Sequence, residues 1–316
     1  MPNILLTGGA GFIGSHLSEK LLSFGYNLTV IDNFDDFYPE VVKRTNIAGL
    51  LENKSYRLIE ADIRDKTVYT RLSTTKFDAI IHLAAKAGVR PSIQQPELYE
   101  DVNMNGTLNL LEFARKNSIK HFVFTSSSSV YGVNPNVPWK EDLNLYQVIS
   151  PYAATKLSGE HIGHVYSHLY GIRFIALRLF TVFGPRQRPD LAIHKFAKQI
   201  VNDEEITLFG DGSTSRDYTF VADIVDGYTA ALNYTQSNFE VFNLGNSNTV
   251  TLLEMVEGLE KVFGKTARKK FMEEQPGDVP RTFADISKAS QLLSYNPKTN
   301  FLKGLEAFRD WYLKTH

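Results

Sequence analysis

The sequence predicts an α/β fold: a doubly wound parallel sheet followed by a smaller C-terminal lobe. Three observations carry this reading. Short apolar runs rich in Val, Ile, Leu and Phe recur through the first 180 residues and barely alternate with polar ones. Segments of helical length separate them, and a glycine-rich turn joins the first run to the first such segment. Strands buried on both faces read as near-continuous apolar runs, and strand–helix alternation builds right-handed crossovers on a parallel sheet.

In order, the strand-like runs are NILLT (3–7), NLTVID (27–32), YRLIEAD (56–62), DAIIHLA (78–84), HFVFTSS (121–127) and RFIALRLF (173–180). Helical segments are expected at 12–24, 97–117 and 151–170. After residue 180 the texture changes. FGPRQRP (183–189) reads as a loop, LAIHKFAKQIV (191–201) as a helix, and ITLFG and RDYTF as short strands. Further helices are expected near 221–233, 251–263, 287–293 and 301–315. We therefore expect a dinucleotide-binding domain over 1–180 and a substrate-binding lobe over 181–316, with parts of 215–250 returning to the first domain.

Composition narrows the function. Of 316 residues, 34 are basic and 35 acidic, for a formal net charge of −1, so no basic excess draws nucleic acid or an anionic membrane. No run approaches the ~18 apolar residues of a membrane span. The ILL run near the N-terminus is too short for a signal-peptide core. Cysteine is absent, which excludes disulfides, zinc–thiolate sites and thiol nucleophiles and fits a reducing compartment. A cytoplasmic enzyme or binding protein is the expectation.

The turn TGGAGFIG places Gly8, Gly11 and Gly14 between the first strand and the first helix. Such a turn lets backbone N–H groups approach a pyrophosphate at a helix N-terminus. A glycine pattern alone is weak; this one has the strand before it and the helix after it. Asp32 ends the second run, 18 residues past Gly14, where a carboxylate accepts the ribose hydroxyls of NAD and repels the phosphate of NADP. Asn33 follows with no adjacent basic residue, so NAD is favoured, and Asp62 is placed to meet the adenine.

PYAATKLSGE (151–160) holds the one Tyr-x-x-x-Lys of the chain, Tyr152 and Lys156, on one helical face. The pair lies 25 residues beyond Ser127. In a parallel sheet the strand ends beside the switch in strand order bind ligands. The glycine turn, TSSSS and Tyr152 are therefore expected to meet at one edge. A free tyrosine titrates near pH ~10; a nearby ammonium and a cationic nicotinamide favour its phenolate. Lys156 would also hold the nicotinamide ribose. Ser127 would bridge Tyr152 and the reacting oxygen, giving a hydroxyl-oxidising site.

TGGAGFIG, DNF, HLAAKAGVRPS, TSSSSVYG, PYAATK and RDYTFVADIVDG together resemble the extended short-chain dehydrogenase/reductase family, with its Rossmann-type fold, over nearly the whole chain. The branch is the nucleotide-sugar 4-epimerases. DNFDDFYPEVVKR (32–44) and LFTVFGPRQRPDLAIHKF (179–196) resemble UDP-glucuronate 4-epimerases in particular. The resemblance implies Tyr152 as base, Lys156 as its electrostatic partner and Ser127 as hydroxyl relay. It implies an NAD site lined by Gly8, Gly11, Phe12, Ile13, Gly14, Asp32, Asn33, Asp62, Ile63, Leu83, Ala84, Ala85 and Asn103. Arg216 would grip the substrate diphosphate, and Asp278 would sit near the uridine. No metal is implied. Segments 97–117 and 151–170 would form a homodimer by analogy.

Departures from relatives refine the substrate. UDP-galactose 4-epimerases carry asparagine where this chain has Thr181. Nucleotide-sugar dehydratases and decarboxylases carry an acid within the segment that here reads SSSS (126–129). Lys86 stands where related epimerases often have glutamine. The expected reaction is C4 epimerisation of UDP-glucuronate to UDP-galacturonate by oxidation, rotation and re-reduction. Thr181, Arg188, Ser128 and Ser129 are expected to hold the C6 carboxylate. Other readings are an epimerase of neutral or N-acetylated UDP-hexoses, a UDP-uronate decarboxylase, or a non-catalytic NAD-sensing regulator. His161, His164 and His168 read as polar helix surface or interface, since no carboxylate or thiol completes a metal spacing.

Overall fold

The computed structural model describes residues 1–273 and 279–316. Its strands are β1 (Asn3–Thr7), β2 (Asn27–Asp32), β3 (Tyr56–Glu60), β4 (Ala79–His82), β5 (His121–Ser127), β6 (Arg173–Leu179), β7 (Thr181–Phe183), β8 (Glu205–Phe209), β9 (Ser215–Phe220), β10 (Phe239–Leu244), β11 (Thr249–Thr251) and β12 (Arg268–Met272). The helices are α1 (Phe12–Ser23), α2 (Glu40–Ile47), α3 (Lys66–Leu72), α4 (Val89–Gln94), α5 (Pro96–Glu100), α6 (Gly106–Lys116), α7 (Pro151–Tyr170), α8 (Ala192–Val201), α9 (Val221–Leu232), α10 (Leu252–Phe263), α11 (Ser287–Leu293) and α12 (Phe301–Thr315).

Seven strands form one parallel sheet in the order β10-β6-β5-β4-β1-β2-β3. The order reverses between β1 and β4, which leaves a crevice at the carboxyl ends of those two strands. The non-alternating apolar runs now have their reason. Ile4, Leu6, Ile81, Val123 and Ile175 pack on one face, while Leu5, Ile80, Phe122 and Phe174 pack on the other. Helices α1 and α9 cover the first face through Leu17, Leu21, Ile224 and Tyr228. Helices α6 and α7 cover the second through Leu110, Leu111 and Tyr166.

Helix α7 lies against the sheet because two of its residues have no side chain. A Cβ on Gly159 would fall 2.4 Å from the Phe124 ring, and one on Gly163 would fall 2.2 Å from the Phe174 ring. This close packing sets the depth of the Tyr152 and Lys156 turn relative to the strand ends.

The helix expected over 97–117 is broken. Its first turn, α5, starts at Pro96, and Asp101–Asn105 forms a π-helical turn before α6 begins. A π-turn inserts one residue into the ladder and redirects the local side chains. Here Asn103 points inward and bonds the backbone of Lys86 and the hydroxyl of Thr155.

Beyond residue 180 the chain serves both regions. Helix α9 packs on the main sheet, and β10 extends that sheet beside β6. Helices α8, α10 and α12 enclose a separate core of Ile193, Phe196, Met255, Leu259 and Phe308. Short sheets of β11-β9-β7 and β12-β8 flank it.

One buried ion pair ties α7 to β6. Arg178 donates to Glu160 from Nε (2.9 Å) and Nη2 (2.7 Å), and both side chains are 4% exposed. Ser126 also donates to Glu160, and Arg178 donates to Tyr131 (3.0 Å). Removing one partner of such a pair strands the other charge. Glu160→Ala should therefore cost about 3–5 kcal/mol of folding free energy, as measured by urea denaturation of the purified protein.

Candidate functional site

A cavity of about 510 Å³ opens at the carboxyl ends of the sheet strands. Its first wall is the glycine turn. Gly8 has φ +75°, and a Cβ on Gly14 would fall 2.2 Å from the Gly8 carbonyl oxygen. No side chain caps α1, whose N-cap Gly11 and first residues, Phe12 to Gly14, line the cavity. An uncapped helix N-terminus facing a cavity is a site for an anionic group such as a pyrophosphate.

Asp32 lies beside this turn, 8% exposed, and accepts from the N–H groups of Ala10 (2.9 Å) and Phe34 (3.0 Å). Burial pushes its carboxyl pKa above the ordinary value, against those bonds and the nearby Lys43 ammonium. Asn33 donates to Asp62 (3.1 Å). The Arg64 fork holds the Asp62 carboxyl below its usual range. Asp62, Ile63, Leu83, Ala84 and Ala85 all line the same cavity.

Asn33, Asp35, Phe37 and Tyr38 of the segment 33–39 also line the cavity, and cations from three other segments pin it. The Lys86 ammonium donates to Asp35 Oδ1 (2.8 Å) and is 12% exposed. Lys43, itself buried, bonds the Asp35 carbonyl and stands 4.4 Å from the Tyr38 ring centroid. The Arg188 guanidinium stacks 5.1 Å from the Phe37 ring. Lys86 is thus a half-buried clasp on this segment.

The far wall carries the acid–base candidates. Ser150 accepts from Ala153 N (3.1 Å) and Pro151 fills the first turn, which starts α7 at a defined place. Tyr152 follows, packed edge-on against Tyr99 at 6.3 Å. One turn later the Lys156 ammonium donates to the Thr125 carbonyl (2.8 Å) and lies over the Phe124 and Tyr152 rings at 5.2 and 5.9 Å. Burial pulls the Lys156 pKa down to about 7. Burial also pushes the Tyr152 phenol above its ordinary value, while hydrogen bonding with Ser127 and the Arg188 charge pull it back. Lys156 is the electrostatic partner of the phenol expected from the sequence; the charge that draws the phenol pKa down in the structure is that of Arg188.

Ser127 ends β5 and caps the 3-10 turn Ser128–Tyr131, accepting from Ser129 N (3.2 Å). Ser127, Ser128, Ser129, Thr181 and Arg188 line the cavity together with Tyr152 and Lys156. Two residues named from the sequence do not line it. Asn103 stands behind the wall, its amide engaged by Lys86 and Thr155. Arg216 sits on β9, donating to the Ser215 carbonyl (2.9 Å). Asp278 lies outside the described residues. His161, His164 and His168 are exposed on α7, and no group of His, Cys, Asp or Glu suited to a metal forms among the described residues.

Sequence reasoning missed Asp35, Phe37, Tyr38, Lys43 and Leu191 as lining residues. All but Leu191 lie in the segment 32–44, whose signal was its resemblance rather than any periodicity.

Comparison with known proteins agrees with this geometry. The family model described as GDP-mannose 4,6 dehydratase matches residues 5–308. The chain belongs to that family, within the extended short-chain dehydrogenases/reductases. It is 39% identical over 314 residues to the UDP-glucuronate 4-epimerase of Thermodesulfobacterium geofontis, covering 98% of this chain and 96% of that protein. An uncharacterised protein of Methanocaldococcus jannaschii is 45% identical over 315 residues, covering 99% and 96%. Among solved structures, the UDP-glucuronic acid 4-epimerase of Bacillus cereus in complex with UDP-glucuronic acid and NAD superposes with a TM-score of 0.93 at 41% identity, covering 99% and 100%. The UDP-glucose 4-epimerase of Thermotoga maritima with UDP-glucose gives 0.90 at 32% identity, covering 99% of each chain.

Lys86→Gln removes the clasp on residues 33–39. Amide hydrogen exchange in that segment should quicken by about fivefold, the equivalent of ~1 kcal/mol, with β1 unchanged. Equal rates in the two proteins would show that the bridge holds nothing.

Proposed function

We propose that the chain is an NAD-dependent epimerase that inverts C4 of a UDP-sugar, interconverting UDP-glucuronate and UDP-galacturonate. One observation carries the reading: a single cavity holds an uncapped helix N-terminus, a Tyr–Lys–Ser set and a half-buried guanidinium. The residues present suit the dinucleotide: a Cβ at Gly8 or Gly14 would collide with the backbone of Ala84 or Gly8, so the tight turn beside the uncapped helix needs glycine, and the Asp32 carboxylate lines the same cavity, ready to accept ribose hydroxyls. Bound NAD supplies the acceptor, and later the donor, of the C4 hydride.

The residues then divide the work. Tyr152 takes the C4 hydroxyl proton, with Ser127 between phenol and substrate oxygen. Lys156, fixed by the Thr125 carbonyl, holds the floor beneath the phenol. The sugar becomes a β-keto acid, which loses carbon dioxide when its carboxylate stands perpendicular to the ketone. Arg188, Thr181 and the Ser128–Ser129 hydroxyls are the donors that keep that carboxylate in an unreactive plane. After the keto sugar turns its other face, Tyr152 returns the proton. The SSSS segment carries no acid for elimination or decarboxylation.

We place the enzyme in the cytoplasm, where a chain without cysteine suits the reducing environment. We read it as a homodimer through α6 and α7, whose exposed Leu108, Val165 and Leu169 such an interface would cover. Sedimentation of a Leu169→Lys variant as monomer, against a wild-type dimer, checks this.

The reading is tested with a panel of UDP-sugars, with and without a C6 carboxylate, and product analysis by NMR. Wild-type protein should carry NAD as purified and epimerise the uronate without releasing carbon dioxide. Turnover of the neutral sugars alone would overturn it. Tyr152→Phe should lower kcat by about 10²–10⁴-fold with substrate binding retained. Arg188→Ala should weaken UDP-glucuronate binding by about thirtyfold, the loss of one charge-assisted contact, and UDP-glucose binding far less.

A further inference from the structure

Arg188 does not face the cavity alone. Its Nε and Nη2 donate to the two oxygens of Asp190, at 2.9 and 2.7 Å. The loop that carries both residues is anchored on every side. The His16 ring bonds the Pro185 carbonyl (2.9 Å), and Arg186 donates to Glu19 (2.5 Å). Gln187 donates to the Val182 carbonyl (3.2 Å), and the His194 ring bonds the Gln187 carbonyl (2.6 Å). The backbone is therefore fixed, and the remaining freedom belongs to the long Arg188 side chain.

A guanidinium has five N–H donors in a rigid planar fork. Asp190 takes one edge, and no other hydrogen bond from Arg188 forms among the described residues. The opposite edge is left for a second planar acceptor. An exposed pair two residues apart on a loop is ordinarily worth little. This one differs, because its guanidinium lines the cavity and is 19% exposed while the carboxylate sits further out at 35%.

We infer that Asp190 is a specificity-determining positioning residue, which grips the outer edge of Arg188 and presents the inner edge to the substrate's C6 carboxylate. This rests on the uronate reading above. Asp190 touches Arg188 rather than the sugar. It orients the fork before substrate arrives, so that little rotamer freedom remains to be lost on binding.

The test uses NAD-loaded enzyme with UDP-glucuronate and UDP-glucose assayed separately. Asp190→Ala should raise KM for UDP-glucuronate about tenfold, less than the loss of Arg188 itself because only the orientation of the fork is lost, with kcat within about twofold. The KM or binding constant for UDP-glucose should stay put. Asp190→Asn, which keeps an acceptor for the guanidinium edge, should recover most of the loss. In an Arg188→Ala background, Asp190→Ala should add nothing. An unchanged KM, equal losses on both sugars, or additive effects in the double variant would overturn the inference while leaving the uronate reading intact. A wild type that neither binds nor converts UDP-glucuronate would overturn both.

Discussion

A buried ammonium sets the terms for this molecule. Lys156 is 4% exposed, and the bond from its Nζ to the Thr125 carbonyl anchors it at the end of β5. Taking an ammonium out of water is costly unless partners meet it. The protein answers with a strand-end carbonyl and two aromatic faces, and burial still draws the pKa to about 7 from an ordinary 10.5. Since the folded chain binds this proton less readily than the unfolded one, stability falls as pH drops through that interval. Such a cost is what a site pays in stability when its groups must be poised for proton transfer.

That lysine can sit so deep only because α7 approaches the sheet at Gly159 and Gly163. The same helix supplies Glu160, which with Arg178, Ser126 and Tyr131 forms a buried polar layer behind the serine turn. Tyr131 continues that layer by donating to Asn243 on β10 (2.7 Å), so a strand from the second half of the chain braces the turn that carries Ser127 to Ser129. The site is braced by these bonds on the helix and strand side. Another part of its wall is the loop of residues 33–39, which long cationic side chains hold in place.

The sheet, the glycine turn and the Tyr–Lys–Ser set were legible because each follows from a local rule. Buried strands read as apolar runs, a phosphate turn needs glycine, and a helical face needs a spacing of four. The strand β10 was harder to see. FEVFNL resembles any short half-buried strand, and nothing local says that it pairs with β6, more than 60 residues earlier. The break in 97–117 was invisible for a related reason: the π-turn exists to aim Asn103 at Lys86 and Thr155, which are distant in the chain. Lys86 itself stood out as an oddity in the sequence, but its partner Asp35 lies 51 positions away and only the fold brings them together. Asp190, two residues past Arg188, drew no attention because an Asp so close to an Arg on a loop is usually solvated surface.

The central claim is that hydrogen leaves C4 as a hydride and returns to the same carbon without meeting water, while Tyr152 moves only the hydroxyl proton. The most direct measurement is conversion of UDP-glucuronate by the NAD-loaded enzyme in heavy water, with the product examined by NMR and mass spectrometry. The account predicts UDP-galacturonate with no deuterium bound to any ring carbon. Deuterium at C4 of the product would mean that inversion proceeds by proton exchange with solvent, and would contradict it.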